Sequence, residues 1–461
     1  MQNKTGIQNE NKMGVMPVKK LLLSMSIPMM IAMIVQAMYN VVDSIFVAQI
    51  SENALTAISL AFPIQNLMIA VGIGTGVGMN ALLSKSLGEK NFKQVNKAAD
   101  NGVFLGILGY LLFLLFGVLG SKLFFSTQTN DLEIIKYGTT YLSICCIFSF
   151  GIFGQLTFER LLQSTGKTFY TLITQGVGAV VNIVLDPILI FGYFGFPRMG
   201  IKGAAVATIS GQIIAMLLAI YLNKQKNHEI KLSIRDFRPD LKIIKKIYAV
   251  GLPSIVMVSI ASIMVYGMNK ILLSFTATAT AVFGIYFKLQ SFVFMPVFGL
   301  NNGMVPILAY NLGAKKKGRI VKTIKLSVIY ATGITLLGLI IMQVFPNQIF
   351  ALFNAEKNML LLGIPALRII SISFIFAGCS IVLLSVFQAL GHGMLSLEVS
   401  VIRQLVILLP VAYVLSLTQS VNLIWWAFPI SELIAAVFAL AFMKRVYHKE
   451  IENIKSYDLA A

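Results

Sequence analysis

Long apolar runs divide this chain, and their length restricts the fold more than any single residue does. A membrane-spanning helix needs about 20 apolar residues. Twelve runs qualify, near 20–50, 54–84, 98–121, 134–161, 168–194, 201–223, 246–275, 278–309, 323–346, 358–389, 394–418 and 421–445. In hydrocarbon every backbone N–H and C=O needs a partner inside protein, so runs of this length are helices. Composition agrees: 12% of residues are charged, against roughly 25% in soluble domains. The expectation is an all-α integral membrane protein with twelve transmembrane helices. Several runs exceed the minimum by a turn or more, which implies tilt, kinks or extension beyond the lipid. The first run follows Lys12, Lys19 and Lys20, as in a signal peptide. It is too long for one and lacks a small-residue cleavage site, so it is expected to stay as a helix.

The formal net charge is +19. In a soluble protein that would point to nucleic acid; here its distribution points to topology. Lys and Arg gather at the N-terminus, at 85–97, at 224–246 (Lys224, Lys226, Arg235, Arg238, Lys245, Lys246), at 315–325 and at the C-terminus (Lys444, Arg445, Lys449). These are alternate loops plus both ends, so both termini are expected in the cytoplasm. Cys145, Cys146 and Cys379 fall in apolar runs without metal-ligand spacing and read as small core residues.

The chain also repeats itself. One constant offset places Pro28 on Pro253, Gln65 on Gln290, Gly74 on Gly299, Lys90 on Lys315 and Gly166 on Gly391. Six helices per half is an even number, so both halves enter the membrane with the same orientation. Two six-helix lobes related by a pseudo-two-fold axis along the membrane normal are expected, with a cavity between them. The expected divisions are a cytoplasmic segment 1–19, an N-lobe 20–223, a basic linker 224–245, a C-lobe 246–445 and a cytoplasmic tail 446–461. Arg238–Asp240 supplies a turn signal in the linker.

Charge inside the runs is sparse. Gln36, Asn40 and Asp43 stand at i, i+4 and i+7, a polar stripe on one face of the first helix. Asp43 lies roughly 10 Å before the outer end of that helix, at about 1.5 Å per residue. In helix five Asn182 and Asp186 share a face at similar depth, and in helix six Thr208 does so. Two carboxylates, an amide and a hydroxyl suit either Na⁺ coordination or a proton shared between acids. The offset places Asp43 on Met268, so the acid has no second-half counterpart and the coupling chemistry is expected in the N-lobe. Structural alternatives exist: Asp186-Pro187 as a kink whose side chain bonds a freed backbone group, and Asn182 and Thr208 as ordinary interhelical bonds. Pro28 is the expected hinge of helix one.

In the second half Lys288, Arg403 and Glu432 lie deep in helices eight, eleven and twelve. They are candidates for the substrate path or for pairing with one another. Glu159-Arg160 fits an intracellular gate or a local ion pair. The run Gly72-x-Gly74-x-Gly76-x-Gly78 reads as close helix packing. Gly166-Lys167-Thr168 mimics the end of a phosphate loop, but position 161 is Leu where glycine is required. No catalytic or nucleotide motif is present, so no enzyme activity and no organic cofactor are expected.

Several stretches together carry a resemblance over nearly the whole length: SIPMMIAMIVQAMYNVVDSIFVAQI at 26–50, ERLLQSTGKT at 159–168, NIVLDPILIFG at 182–192, GIKGAAVAT at 200–208 and GIYFKLQSFVFMPVFGLNNGMVPILAYNLGAKK at 284–316. The chain resembles the MATE (multidrug and toxic compound extrusion) family, in its prokaryotic DinF-like or MepA-like branch. The resemblance implies a V of two lobes and antiport of lipophilic organic cations against H⁺ or Na⁺. It also implies an N-lobe cation site at Asp43, Asn182, Asp186 and Thr208. The acidic pair of the NorM-like branch's C-lobe is not evident; Lys270 and Lys288 stand in the helices where it would be sought. The expectation is a monomeric, multi-pass inner-membrane exporter whose partners are small organic cations and lipid, with H⁺ or Na⁺ as coupling ion. A lipid-linked oligosaccharide flippase, using Lys288 and Arg403 on a pyrophosphate, is the nearest alternative, and a channel a more distant one.

Overall fold

A computed structural model describes residues 10–233, 237–353 and 357–454. Arg235 and the outermost parts of both terminal segments lie outside the described residues. Among the described residues ten helices are long and apolar enough to span, and two bent pairs, each taken as one span, bring the number to twelve. In chain order they are α1 (Val18–Ala48), α2 (Glu52–Gly88), α3 (Phe92–Leu119), α4 (Leu132–Ile147 with Phe150–Ser164), α5 (Thr168–Phe191) and α6 (Ile201–Lys226), then α7 (Leu241–Leu273), α8 (Ala277–Gly313), α9 (Lys317–Val344), α10 (Lys357–Ser371 with Phe374–Ala389), α11 (Gly393–Ser416) and α12 (Val421–Ile451). They form two lobes, α1–α6 and α7–α12. The helices run further into the basic loops than their apolar runs do. Lys85 closes α2 and Lys317 opens α9, because long basic side chains tolerate a helix that emerges into water.

The repeat is visible in the backbone. The offset that aligns Pro28 with Pro253 carries both ends of α2 onto both ends of α8, and both ends of α3 onto both ends of α9. Lys90 and Lys315, each just past a helix end, both adopt φ 56°, a left-handed conformation uncommon outside glycine. Gly166 and Gly391 close α4 and α10 at φ 84° and 92°. The bends repeat too. α4 turns by 43° and α10 by 51°. At each break a serine N–H bonds three residues back instead of four: Ser149 to Cys146 O at 3.2 Å, Ser373 to Ile370 O at 3.0 Å. That tightened turn redirects the axis.

The lobes are joined by two straddling helices. α1 packs on α5 of its own lobe and on α8 of the other; α7 packs on α11 and on α2. Glycines permit both crossings. A Cβ on Gly78 would lie 2.0 Å from Ile247 O of α7, and one on Gly303 would lie 2.6 Å from Ser26 Oγ of α1. The two glycines are related by the repeat, as are Gly74 and Gly299, so the GxxxG run serves close packing as expected. Among the described residues of the N-terminal segment, Met13 is fully buried. Its carbonyl accepts Asn311 Nδ2 at 3.0 Å and Arg319 Nη2 at 2.9 Å, while Asn11 Nδ2 donates to Thr165 O at 3.0 Å. This segment therefore ties the two lobes together at their basic end. In the linker, Asp240 caps α7 by accepting the N–H groups of Lys242 and Ile243 at 3.0 and 3.4 Å. Lys97 pairs with the same carboxylate at 3.1 Å and holds it below the usual range.

Candidate functional site: an acid pair in the N-lobe

Asp43 stands five residues before the end of α1, Asp186 five before the end of α5, and Thr208 seven after the start of α6. All three helix ends lie on the side opposite the basic loops. The fold therefore brings the sequence-predicted groups to one level. Asp43 and Asp186 approach within hydrogen-bonding reach of each other. Ionised carboxylates only accept, so a bond between them requires that one carry a proton. Asp186 is fully buried. Neither of its oxygens, nor Asp43 Oδ1 nor Asn182 Oδ1, has a partner among the described residues. Buried polar atoms are almost always paired, so four unpaired oxygens on one small surface mark a place for a proton, a cation or ordered water.

The kink reading of Asp186 does not hold, since its side chain bonds no freed backbone group. The interhelical reading of Asn182 holds in part: Nδ2 donates to Thr208 Oγ1 at 3.4 Å, a long bond that leaves Oδ1 free. Beside these groups lies a cavity of about 60 Å³, lined by Gln36, Tyr39, Asn182 and Thr208 and, on α4 and α5, by Gln155 and Gln175. The α1 stripe divides. Gln36 faces this cavity, while Asn40 is exposed. α1 runs through Pro28 without a break.

One group escaped the sequence reading, and a second takes other partners than the local ion pair expected of it. Tyr39 lies close enough to both acids to feel their charge; its signal is its place at i−4 from Asp43, one turn along the same face. Glu159 is buried, at 1% exposure, and does not pair with Arg160. It instead accepts Gln155 Nε2 at 3.0 Å, Thr174 Oγ1 at 2.8 Å and Gln175 Nε2 at 2.8 Å. Its donors Gln155 and Gln175 also line the cavity, so a further acid of the lobe sits one side chain away from it. Arg160 turns the other way and donates to Asn302 Oδ1 of α8 at 3.0 Å, across the lobes.

The C-lobe residues part company. Arg403 Nη1 meets Glu432 Oε1 at 3.4 Å, with the two side chains 21% and 12% exposed. Lys288 is exposed and forms no ion pair among the described residues. Lys270 and Arg368 are exposed.

An internally duplicated, two-lobed helical membrane bundle with a polar cavity beside buried acids in one lobe defines the class of polytopic transport proteins. A family model described as MatE matches the chain twice, at residues 28–188 and 253–414. The chain belongs to the MatE family. It is 25% identical over 422 residues to the multidrug export protein MepA of Staphylococcus haemolyticus, covering 91% of this chain and 92% of that protein. Against MepA of Staphylococcus aureus strain MSSA476 the identity is 24% over 431 residues, covering 92% and 93%. Among solved structures, an outward-facing multidrug resistance MATE family transporter of the MOP superfamily superimposes with a TM-score of 0.91 at 23% identity, over 97% of this chain and 100% of that one. This likeness establishes the fold.

Proposed function

We propose that the protein is a secondary active multidrug exporter that exchanges lipophilic organic cations for protons at the Asp43–Asp186 pair. The observation that carries this reading is the set of buried, unpartnered oxygens on Asp43, Asp186 and Asn182, which a proton shared between the two acids would satisfy in part without any other ligand. The MepA relatives support the substrate class. A carboxyl pair neutralised by protons offers an organic cation little attraction, and an ionised pair attracts it strongly. Protons and drug therefore exclude one another, which is the requirement for exchange. Asn182, Thr208, Gln36 and Tyr39 position the pair and its hydration, and α1, packed on both lobes, carries the change in charge to the lobe interface. Na⁺ would need the same oxygens spread around a single centre.

In this reading both termini are cytoplasmic, the lobes comprise 20–223 and 246–445 with the linker at 224–245, and the monomer acts in the inner membrane. The flippase alternative loses support because Arg403 is engaged by Glu432 rather than free for a pyrophosphate. The test is efflux of a fluorescent organic cation from proteoliposomes under an imposed proton gradient and, separately, an imposed Na⁺ gradient. Drive by the Na⁺ gradient alone would overturn proton coupling.

A further inference from the structure

The repeat gives the N-lobe cavity a counterpart in the C-lobe, and what stands there is informative. Across α5 and α6, Gly178 lines the cavity and Asn182 and Thr208 make a neutral contact. The offset of the repeat carries Thr168, which opens α5, onto Gly393, which opens α11. It carries Lys226, which ends α6, onto Ile451, which ends α12. In that register Arg403 stands at the position of Gly178, and Glu432 at that of Ala207, the neighbour of Thr208. A glycine at the edge of the cavity, where a Cβ would lie 3.1 Å from Gly211 O and Ala215 Cβ of α6, is thus replaced in the other lobe by the longest cationic side chain. The backbone around Arg403 is altered as well. Residues Ile402–Leu408 form a π-helical turn, a wider geometry that accommodates one more residue per turn than an α-helix. Glu432 is 9% exposed, and Tyr286 of α8 is the titratable group packed beside the pair.

We propose that Arg403 is a built-in counter-cation: it occupies the C-lobe equivalent of the N-lobe cation cavity and neutralises Glu432 permanently. The ligand class of this latent site is a monovalent cation, H⁺ or Na⁺, and the tethered guanidinium excludes both. Coupling ions then enter through one lobe only: the offset places Asp43, Asn182, Asp186 and Thr208 on Met268, Ile407, Val411 and Leu433, none of which offers a side-chain oxygen. Arg403 lies within the π turn of α11, and its guanidinium reaches Glu432 of α12. This inference rests on the reading of Asp43 and Asp186 as the exchangeable site, and the experiment separates the two.

The experiment uses full-length protein in detergent, with Asp43→Asn and Asp186→Asn together silencing the N-lobe. Proton uptake on acidification and binding of radiolabelled Na⁺ are measured. The silenced protein is expected to show no uptake that depends on Glu432. Adding Arg403→Met is expected to create one new binding event, for H⁺ or Na⁺, which Glu432→Gln then removes. Absence of any new event in a folded triple variant overturns the proposal. Should that variant not fold, the silenced protein with Arg403 intact still decides: binding that disappears on Glu432→Gln shows that Arg403 does not block the site, and its absence is the expected result. The underlying reading fails separately, if the Asp43→Asn, Asp186→Asn protein still exchanges drug for protons in proteoliposomes.

Discussion

The two lobes share a backbone and differ in how they handle charge. In the N-lobe two acids from α1 and α5 meet, and four oxygens in and beside the pair have no partner among the described residues. In the C-lobe an acid and a base from α12 and α11 meet and satisfy each other. Duplication has preserved what sets helix position: the glycine crossings, the left-handed turns at Lys90 and Lys315, the serine breaks in the bent helices. It has not preserved the buried charges, which tolerate replacement as long as each lobe ends up neutral or holds an exchangeable ion. In the proposed mechanism the self-neutralised lobe is the scaffold, and the lobe whose acids share a proton is the one that exchanges it.

The sharpest way to break this contrast is to remove the exchangeable charge. Asp43→Asn leaves an amide of similar size, which neither titrates nor attracts a cation. Each proton that enters beyond the charge carried out on the drug contributes about 2.3 kcal/mol at 100 mV. At 1.4 kcal/mol per tenfold, one such net charge is roughly a forty-fold gradient of exported drug. The variant is expected to lose all of it in proteoliposomes while folding normally, since Asp43 Oδ1 gives up no protein partner. Retained proton-driven efflux would return Asp43 to a structural role.

Breaking the C-lobe pair is expected to act on stability first. Arg403→Met leaves Glu432 without its cation in a nearly buried position. Loss of one partner of a fully buried pair costs about 3–5 kcal/mol; at 21% and 12% exposure a smaller loss, about 2–3 kcal/mol, is expected. Adding Glu432→Gln restores most of it, because a neutral amide does not demand a counter-charge. Thermal melting in detergent reads both variants. A double variant as unstable as the single one would show that the arginine contributes packing rather than charge.

Much of this architecture is legible in the sequence, for identifiable reasons. Spans are read from apolar length, and the lobes from an offset that carries glycines and prolines, residues whose backbone roles do not drift. Asp43, Asp186, Asn182 and Thr208 could be grouped because distance along a helix gives depth directly. Rotation about neighbouring helices is what sequence withholds. Arg403, Glu432 and Lys288 all lie deep, yet only the packed structure pairs the first two and leaves the third exposed. The same blindness left Glu159 beside Arg160 as one candidate ion pair, where the helix in fact directs them to opposite neighbours. The bends in α4 and α10 were equally hidden, because a serine N–H that bonds three residues back leaves no mark in an apolar run.

The symmetric part of the comparison can be tested with the crossing glycines. Gly78→Ala and Gly303→Ala place a methyl against α7 and α1 respectively, at repeat-related positions. Overpacking of this kind costs typically about 1–3 kcal/mol. The closest approach at Gly78 is 2.0 Å, to the Ile247 carbonyl, whereas at Gly303 it is 2.6 Å, to the Ser26 hydroxyl, with Ser26 backbone atoms at 2.8 Å. Both sites meet backbone, but the approach at Gly78 is the shorter, so Gly78→Ala is expected to be the more damaging in thermal melting. Equal losses would mean that the Ser26 backbone limits Gly303 as firmly as the Ile247 carbonyl limits Gly78.

The smallest effect concerns Asp240, which joins α3 of one lobe to the first turn of α7. Its carboxylate is held below the usual range by Lys97, with the α7 N–H groups assisting. A depressed carboxylate stabilises the fold above its unfolded value and loses that contribution as pH falls through the folded one. The pair is exposed, so salt screens it and its contribution is slight. Lys97→Met is expected to return Asp240 toward the ordinary carboxylate range. The acid limb of the melting curve would then shift to higher pH, at low ionic strength only. The proton dependence of efflux should not move, because this carboxylate lies in the linker at the basic end and the exchanging pair lies at the opposite end of the N-lobe. A shift in the pH profile of transport on Lys97→Met would instead show that linker and acid pair communicate, and the division between a scaffold held by fixed charges and a site run by a mobile one would have to be redrawn.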